Sequence, residues 1–288
     1  DAAGTSIPLM GFLDETYTDG FLVLKNGGIS YERYFNGMDH RTLHLSQSMS
    51  KSFVGMTAGI LASRGLLDVN APVTAYLPEL EQTGWRGATL QQVLDMTTGT
   101  RFSEDYVNPY SDVGQMDVAS DWKPVPPDSD ASFKWPRHMW ELITGLTETV
   151  RGHGGLCACR SVETDVLAFC LERVTGKRLP QLLSEEIWQK MGAEESSCIT
   201  VDSAGYALAS GGLNATLRDY GRFGQLVLEY GGGIIPAPWI EATRSGDHSK
   251  FKEPYTFSIP QGAYKNQFWI EDPSSRAILA KGVFGQLI

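Results

Sequence analysis

Ser48 and Lys51 stand three residues apart in Ser46-Gln47-Ser48-Met49-Ser50-Lys51-Ser52-Phe53, a spacing that puts a hydroxyl and an amine on one face of a helix. A serine hydroxyl attacks poorly until a neighbouring base takes its proton. An amine serves as that base when its ammonium form is disfavoured, which the positive end of a helix dipole and partial burial both do. A helix start also offers backbone N–H groups without intrahelical partners, and that of Ser48 can face a developing oxyanion. The chemistry implied is acyl transfer through a serine ester. The tetrad alone does not decide it, because an N-cap serine followed by a solvated lysine has the same letters. A second tetrad, Ser120-Asp121-Trp122-Lys123, runs into Pro124-Val125-Pro126-Pro127, which cannot continue a helix, so its hydroxyl and amine are not fixed on one face.

The elements that must position Ser48 and Lys51 follow from pattern. Phe21-Leu22-Val23-Leu24 and Ile29 to Phe35, joined by Asn26-Gly27-Gly28, read as an antiparallel hairpin. From Lys51, Phe53, Val54, Met56, Ile60 and Leu61 fall at helical spacing, and Gly65 is placed to stop the helix. Further helices are expected over Leu90 to Met96, Val162 to Val174 before Gly176, Leu179 to Lys190, and Ala215 to Tyr230. Arg101 to Lys134 has no steady period and reads as a long structured loop, a feature more often functional than idle. Gln267 to Ile270 and Ala277 to Ala280 return to strand-like patterns. The order hairpin, helices, strands predicts an α/β (α+β) fold with one antiparallel sheet built from both chain ends. Residues 1–62 and 231–288 would form the α/β domain and 63–230 a mostly helical one, with the site between them.

The balance of charge excludes other classes. The 288 residues carry a formal net charge of −10 with no Lys/Arg-dense stretch, which argues against nucleic acid as a partner. No apolar run reaches bilayer-spanning length, and Asp1-Ala2-Ala3-Gly4 lacks the basic-then-apolar pattern of a secretory signal, so a cytoplasmic protein with no membrane partner is expected. Cys157, Cys159, Cys170 and Cys198 contain no C-x-x-C pair, and His40, His44, His138, His153 and His248 form no paired ligand pattern. Neither a metal nor a cofactor is expected. The partner is a small-molecule ester or amide, and a homodimer is compatible with the sequence.

Segments around the tetrad carry a resemblance. Tyr17 to Leu24, Gly65 to Val73, Tyr76-Leu77-Pro78-Glu79-Leu80, Val93 to Gly99, Gly211 to Asp219 and Gly282 to Gln286 resemble, in order and spacing, the serine β-lactamase and penicillin-recognising hydrolase superfamily over nearly the whole chain. Glu104-Asp105-Tyr106-Val107-Asn108-Pro109 and Asp117 look most like its 6-aminohexanoate-dimer hydrolase and esterase branch. The resemblance implies a β-lactamase/transpeptidase-like fold and a metal-free hydrolase of esters or small linear amides working through an acyl-enzyme. It places the nucleophile on Ser48, the base on Lys51, and the oxyanion contacts on the N–H groups of Ser48 and Val283. By the same resemblance Tyr106 closes over the substrate, Asp117 engages the amino end of an aminohexanoate chain, and Ser210 tunes amide against ester cleavage. A carboxylate in an aromatic loop suits an ammonium tail on physical grounds as well.

Two departures stand out. The family's third catalytic residue is a tyrosine, and Cys159 occupies its place in Cys157-Ala158-Cys159-Arg160-Ser161, where Ser161 fits the element's last position. A thiol is shorter than a phenol and leaves a gap in the proton relay, although its ordinary pKa permits transfer. Cys159 thus also motivates a binding protein without turnover. The second departure is the end at Leu287-Ile288, inside an active-site strand, which suggests a C-terminally truncated chain whose sheet edge would be left unpaired. A β-lactam-reactive enzyme is less favoured, since that branch usually places Lys-Thr-Gly on its last strand, where this chain has Lys281-Gly282-Val283-Phe284-Gly285 with no basic residue at the aligned position.

Overall fold

In the computed structural model, which describes residues 6–288, a short helix α1 (Leu9–Glu15) leads into β1 (Gly20–Lys25) and β2 (Gly28–Tyr34). The turn between these strands is Asn26 (φ 53°) and Gly27 (φ 77°), both left-handed as a tight twisted hairpin demands, with Lys25 paired to Gly28. The run Asp1-Ala2-Ala3-Gly4 lies outside the described residues. β3 (His44–Leu45) is followed by a 3-10 turn over Gln47–Met49 and then α2 (Ser50–Ser63), with Gly65 at φ 71° just beyond its end. The helices α3 (Val73–Tyr76), α4 (Leu90–Leu94), α5 (Asp112–Ala119), α6 (Met139–Gly145), α7 (Ser161–Thr175) and α8 (Leu179–Leu183) fill the middle of the chain. Next come β4 (Cys198–Ile199), β5 (Leu213–Ala215), α9 (Leu217–Leu228), α10 (Ala237–Thr243) and α11 (Tyr255–Ser258). The chain then runs through β6 (Ala263–Lys265), β7 (Phe268–Asp272), β8 (Ala277–Leu279), β9 (Lys281–Gly282) and β10 (Gln286–Leu287). Among the described residues no helix is long and apolar enough to cross a membrane.

Among the described residues every strand pairing is antiparallel, as expected, but the strands form four groups, β1-β2, β9-β10, β3-β5-β4 and β6-β7-β8. The two chain ends are therefore not joined by hydrogen bonds into the single sheet expected from sequence among the described residues; helices join them. Leu22 and Leu24 of β1 pack on α9 at Gly221, where an added Cβ would lie 2.5 Å from a Leu22 methyl. The stretch from Arg101 to Lys134 is not all loop, because Ser111 caps α5 by accepting from the Gly114 N–H at 3.1 Å. Eight residues give too few turns for a visible period. Ala215 belongs to a strand, since the Thr216 side chain caps α9 after it.

α2 is buried along its length because it has apolar or small residues on every side. Phe53 stacks on Phe223 of α9 at 3.7 Å between ring centroids. Gly55 and Gly59 leave the backbone bare where neighbours come close: a Cβ at Gly55 would lie 2.3 Å from the Asn266 carbonyl, and one at Gly59 2.4 Å from the Trp239 ring. The β6–β7 turn that presses on Gly55 is a connecting hub. Its Asn266 and Gln267 are both left-handed, and Gln267 takes a hydrogen bond from Thr164 Oγ1 at 2.7 Å and donates to the Val93 and Leu94 carbonyls. This turn therefore ties α2, α4 and α7 together behind the nucleophile turn.

Candidate active site

The turn that carries Ser48 is held tightly from both sides. Gln47 sits at φ 50°, a left-handed conformation costing a residue with a side chain roughly 1–2 kcal/mol. The neighbours pin it there: Ser50 Oγ donates to the Gln47 carbonyl at 2.7 Å and lies 3.0 Å from Ser46 Oγ, while the Ser46 N–H donates to the Leu213 carbonyl of β5. On the other side β9 comes so close that a Cβ on Gly282 would fall 2.6 Å from the Ser46 carbonyl oxygen. That approach requires glycine and brings the following residue, Val283, to the cleft that Ser48 also lines.

Lys51 projects from the first turn of α2 into this corner. Its Nζ lies 2.6 Å from Ser48 Oγ, 2.9 Å from the Ser210 carbonyl and 3.3 Å from Ser161 Oγ; the ammonium form donates to all three, and loss of one proton frees a lone pair that can accept from Ser48. Lys51 is 4% exposed. Burial strips the ammonium of water and lowers its pKa below the ordinary lysine value, against the opposing pull of the Glu104 and Asp165 carboxylates. The result is an amine at hydrogen-bond range of a hydroxyl and biased toward its neutral, proton-accepting form.

Two carboxylates that sequence reasoning did not single out build the rest of this corner. Asp165, on α7, accepts from the Ala209 N–H at 2.8 Å and the Ser210 N–H at 3.3 Å, which sets the Ser210 carbonyl against Lys51. Burial pushes the Asp165 carboxyl up to about 7. Glu104 caps the start of α7 from a distant loop: its Oε1 takes the Ser161 N–H at 2.5 Å, and its Oε2 takes the Tyr106 hydroxyl at 3.2 Å. Glu104 therefore couples Tyr106 to the serine that touches Lys51. The signal was present in the sequence, two residues before Tyr106, but a cap supplied across 57 residues has no local spacing to betray it.

The Cys159 backbone N–H donates to the Tyr255 hydroxyl at 2.8 Å. Its thiol is pushed up to about 12, first by burial and then by the Glu104 carboxylate. A thiol held protonated is not a competing nucleophile, since the thiolate is the reactive form. The cleft in front of Ser48 is walled by Tyr106, Met116, Asp117, Trp122, Ser161, Leu208, Ser210 and Val283. All the residues singled out from sequence except Lys51 and Cys159 line it directly, and those two stand in the corner behind it. A larger surface cavity, lined by Trp140, Phe169, Arg178 and Tyr206, shares no residue with this cleft. Its charged groups are paired, Arg173 with Glu79 and Arg178 with Glu172.

Comparison with known proteins identifies the fold and the family. Residues 14–286 match the family model described as Beta-lactamase. The chain is 36% identical over 295 aligned positions to the 6-aminohexanoate-dimer hydrolase of Paenarthrobacter ureafaciens, covering 99% of this chain and 73% of that protein. A solved structure from Bacillus anthracis, provisionally assigned as a 6-aminohexanoate-dimer hydrolase, superposes with a TM-score of 0.87 at 30% identity, covering 99% of this chain and 73% of its own. EstCE1, a hydrolase with promiscuous acyltransferase activity, shares the fold, with a TM-score of 0.71 at 15% identity over 92% of this chain and 81% of its own. With its fold, its Ser48–Lys51 corner and these matches in accord, the chain belongs to the β-lactamase family of hydrolases.

Proposed function

We propose that the protein hydrolyses carboxylic esters or small linear amides of the 6-aminohexanoate type through an acyl-enzyme on Ser48. The observation that carries this reading is the 2.6 Å contact between Lys51 Nζ and Ser48 Oγ, made by a buried amine whose pKa is lowered. Lys51 in its neutral form takes the Ser48 proton as Oγ attacks the carbonyl carbon. The N–H groups of Ser48 and Val283 hold the oxyanion, and the proton returns from Lys51 toward the leaving group as the tetrahedral intermediate collapses. Ser161, 3.3 Å from Lys51, lies on the route to the leaving group. Water then repeats the sequence on the acyl-enzyme. Tyr106 covers the substrate and Asp117 receives an ammonium-bearing end. Turnover of p-nitrophenyl esters and of the linear 6-aminohexanoate dimer, abolished by Ser48→Ala, is the expected result. Full activity in Ser48→Ala contradicts it.

Cys159 favours a second reading, a protein that keeps the cleft and binds without efficient turnover, because the thiol is too short to relay protons from the place of a phenol. Against a β-lactam-reactive enzyme stands the last-strand segment Lys281 to Gly285, which lacks the Lys-Thr-Gly of that branch. Stable labelling of Ser48 by a fluorescent penicillin would reverse that ranking.

A further inference from the structure

The second tetrad, Ser120-Asp121-Trp122-Lys123, has no part in the reaction above, yet it shapes the cleft. α5 stops at Ala119, Asp121 turns left-handed at φ 58°, and the N–H groups of Trp122 and Lys123 both return to the Asp117 carbonyl, at 2.9 and 3.0 Å. That reversal sets Trp122 in the cleft wall and folds Lys123 back along the helix. Lys123 Nζ ends 2.6 Å from Asp117 Oδ2, with the Lys123 side chain 54% exposed and that of Asp117 only 19%. The backbone bond from the Lys123 N–H to the Asp117 carbonyl and the ion pair between the two side chains together hold the lysine at this post. The carboxylate that faces the substrate's amino end therefore already holds an ammonium, one supplied by the chain. A second cation brought to Asp117 must displace Lys123 or lie beside its like charge.

We propose that Lys123 is a specificity-determining residue that competes with a substrate's ammonium end for Asp117 and so weakens the cleft's preference for ammonium-ended over uncharged linear acyl groups. The inference rests on Asp117 being the amine contact. A half-exposed ion pair is modest in strength, so its removal should change affinity about two- to tenfold. The test measures binding of methyl 6-aminohexanoate and of methyl heptanoate, its uncharged counterpart of equal length, by calorimetry on the full chain carrying Ser48→Ala to prevent cleavage. Lys123→Met should tighten the ammonium ligand two- to tenfold relative to the uncharged one, and added salt should narrow the difference between the two proteins. Lys123→Arg should keep the parent ratio. A ratio unchanged or moved the other way in Lys123→Met overturns the proposal, as does failure of the ammonium ligand to bind either protein. Labelling of Ser48 by a fluorophosphonate in the unsubstituted chain reports on the hydrolase reading separately. A labelled Ser48 with no change in the binding ratio sinks the Lys123 proposal alone; an unlabelled Ser48 with the predicted change sinks the hydrolase reading alone.

Discussion

At the scale of single residues, proton traffic between Ser48, Lys51 and the position of Cys159 governs the proposed reaction. Burial of Lys51 lowers its pKa, so the neutral amine needed for attack accumulates as pH rises, and the rate of Ser48 acylation should climb with pH to a plateau whose midpoint lies below 10.5. A rate independent of pH over that range would remove Lys51 from the role of base. Cys159 has the opposite character: with its thiol pushed up to about 12 it cannot supply a thiolate near neutrality. Iodoacetamide at pH 7.5 should leave it unmodified while it alkylates the exposed Cys198, a contrast that peptide mass spectrometry reads directly. Cys159→Tyr should raise kcat roughly 10²–10⁴-fold, the range for one general acid–base group, with KM much less affected. An unchanged kcat would mean that another group already does the phenol's work.

At the scale of elements the fold shows why some features were legible and others were not. The hairpin turn at Asn26-Gly27 and the stops at Gly65 and Gly176 were readable because left-handed backbone writes glycine or asparagine into the sequence. α7 was readable because fifteen residues give several turns of period, whereas α5 and the two- and three-residue strands around the nucleophile are too short to carry one. Ser48, Lys51 and Ser161 could be named because their motif is local or their family pattern is ordered. Glu104 and Asp165 could not, since each works by holding backbone N–H groups far away in sequence, 57 residues for Glu104 and 44 for the nearer Asp165 contact. The close approach of β9 to the nucleophile turn was likewise invisible until Gly282 was seen against Ser46. Gly282→Ala must push β9 away by a few tenths of an ångström or more, because the added Cβ would otherwise lie 2.6 Å from a carbonyl oxygen. The expected outcome is a fall in kcat of tenfold or more as the Val283 N–H leaves the oxyanion, with overpacking costing about 1–3 kcal/mol of stability. Parent-like kcat in Gly282→Ala would show that Val283 does not hold the oxyanion.

At the scale of the whole molecule the buried acids of α7 link the site to the stability of the fold. Glu163 and Asp165 are both pushed up to about 7 by burial, and each leaves one carboxyl oxygen without a partner in the interior. The folded state therefore holds protons that the unfolded chain has released by about pH 5, so the stability these groups contribute is present in acid and is lost as pH rises from about 4 through about 7. Urea unfolding at pH 5 and pH 8 should show the loss, and Asp165→Asn should make it shallower; a parent chain that gains stability across that interval would contradict the assignment. The same helix that bears this desolvation cost presents Ser161 to Lys51 and, through Asp165, sets the Ser210 carbonyl against it. All of this depends on Ser48 being a nucleophile activated by Lys51. The most direct measurement is intact-protein and peptide mass spectrometry of the chain after exposure to a fluorophosphonate, alongside Ser48→Ala and Lys51→Ala. The account predicts one adduct, on the peptide containing Ser48, absent from Ser48→Ala and formed at least 10²-fold more slowly in Lys51→Ala; an unmodified Ser48, or an adduct that persists in Ser48→Ala, would contradict it.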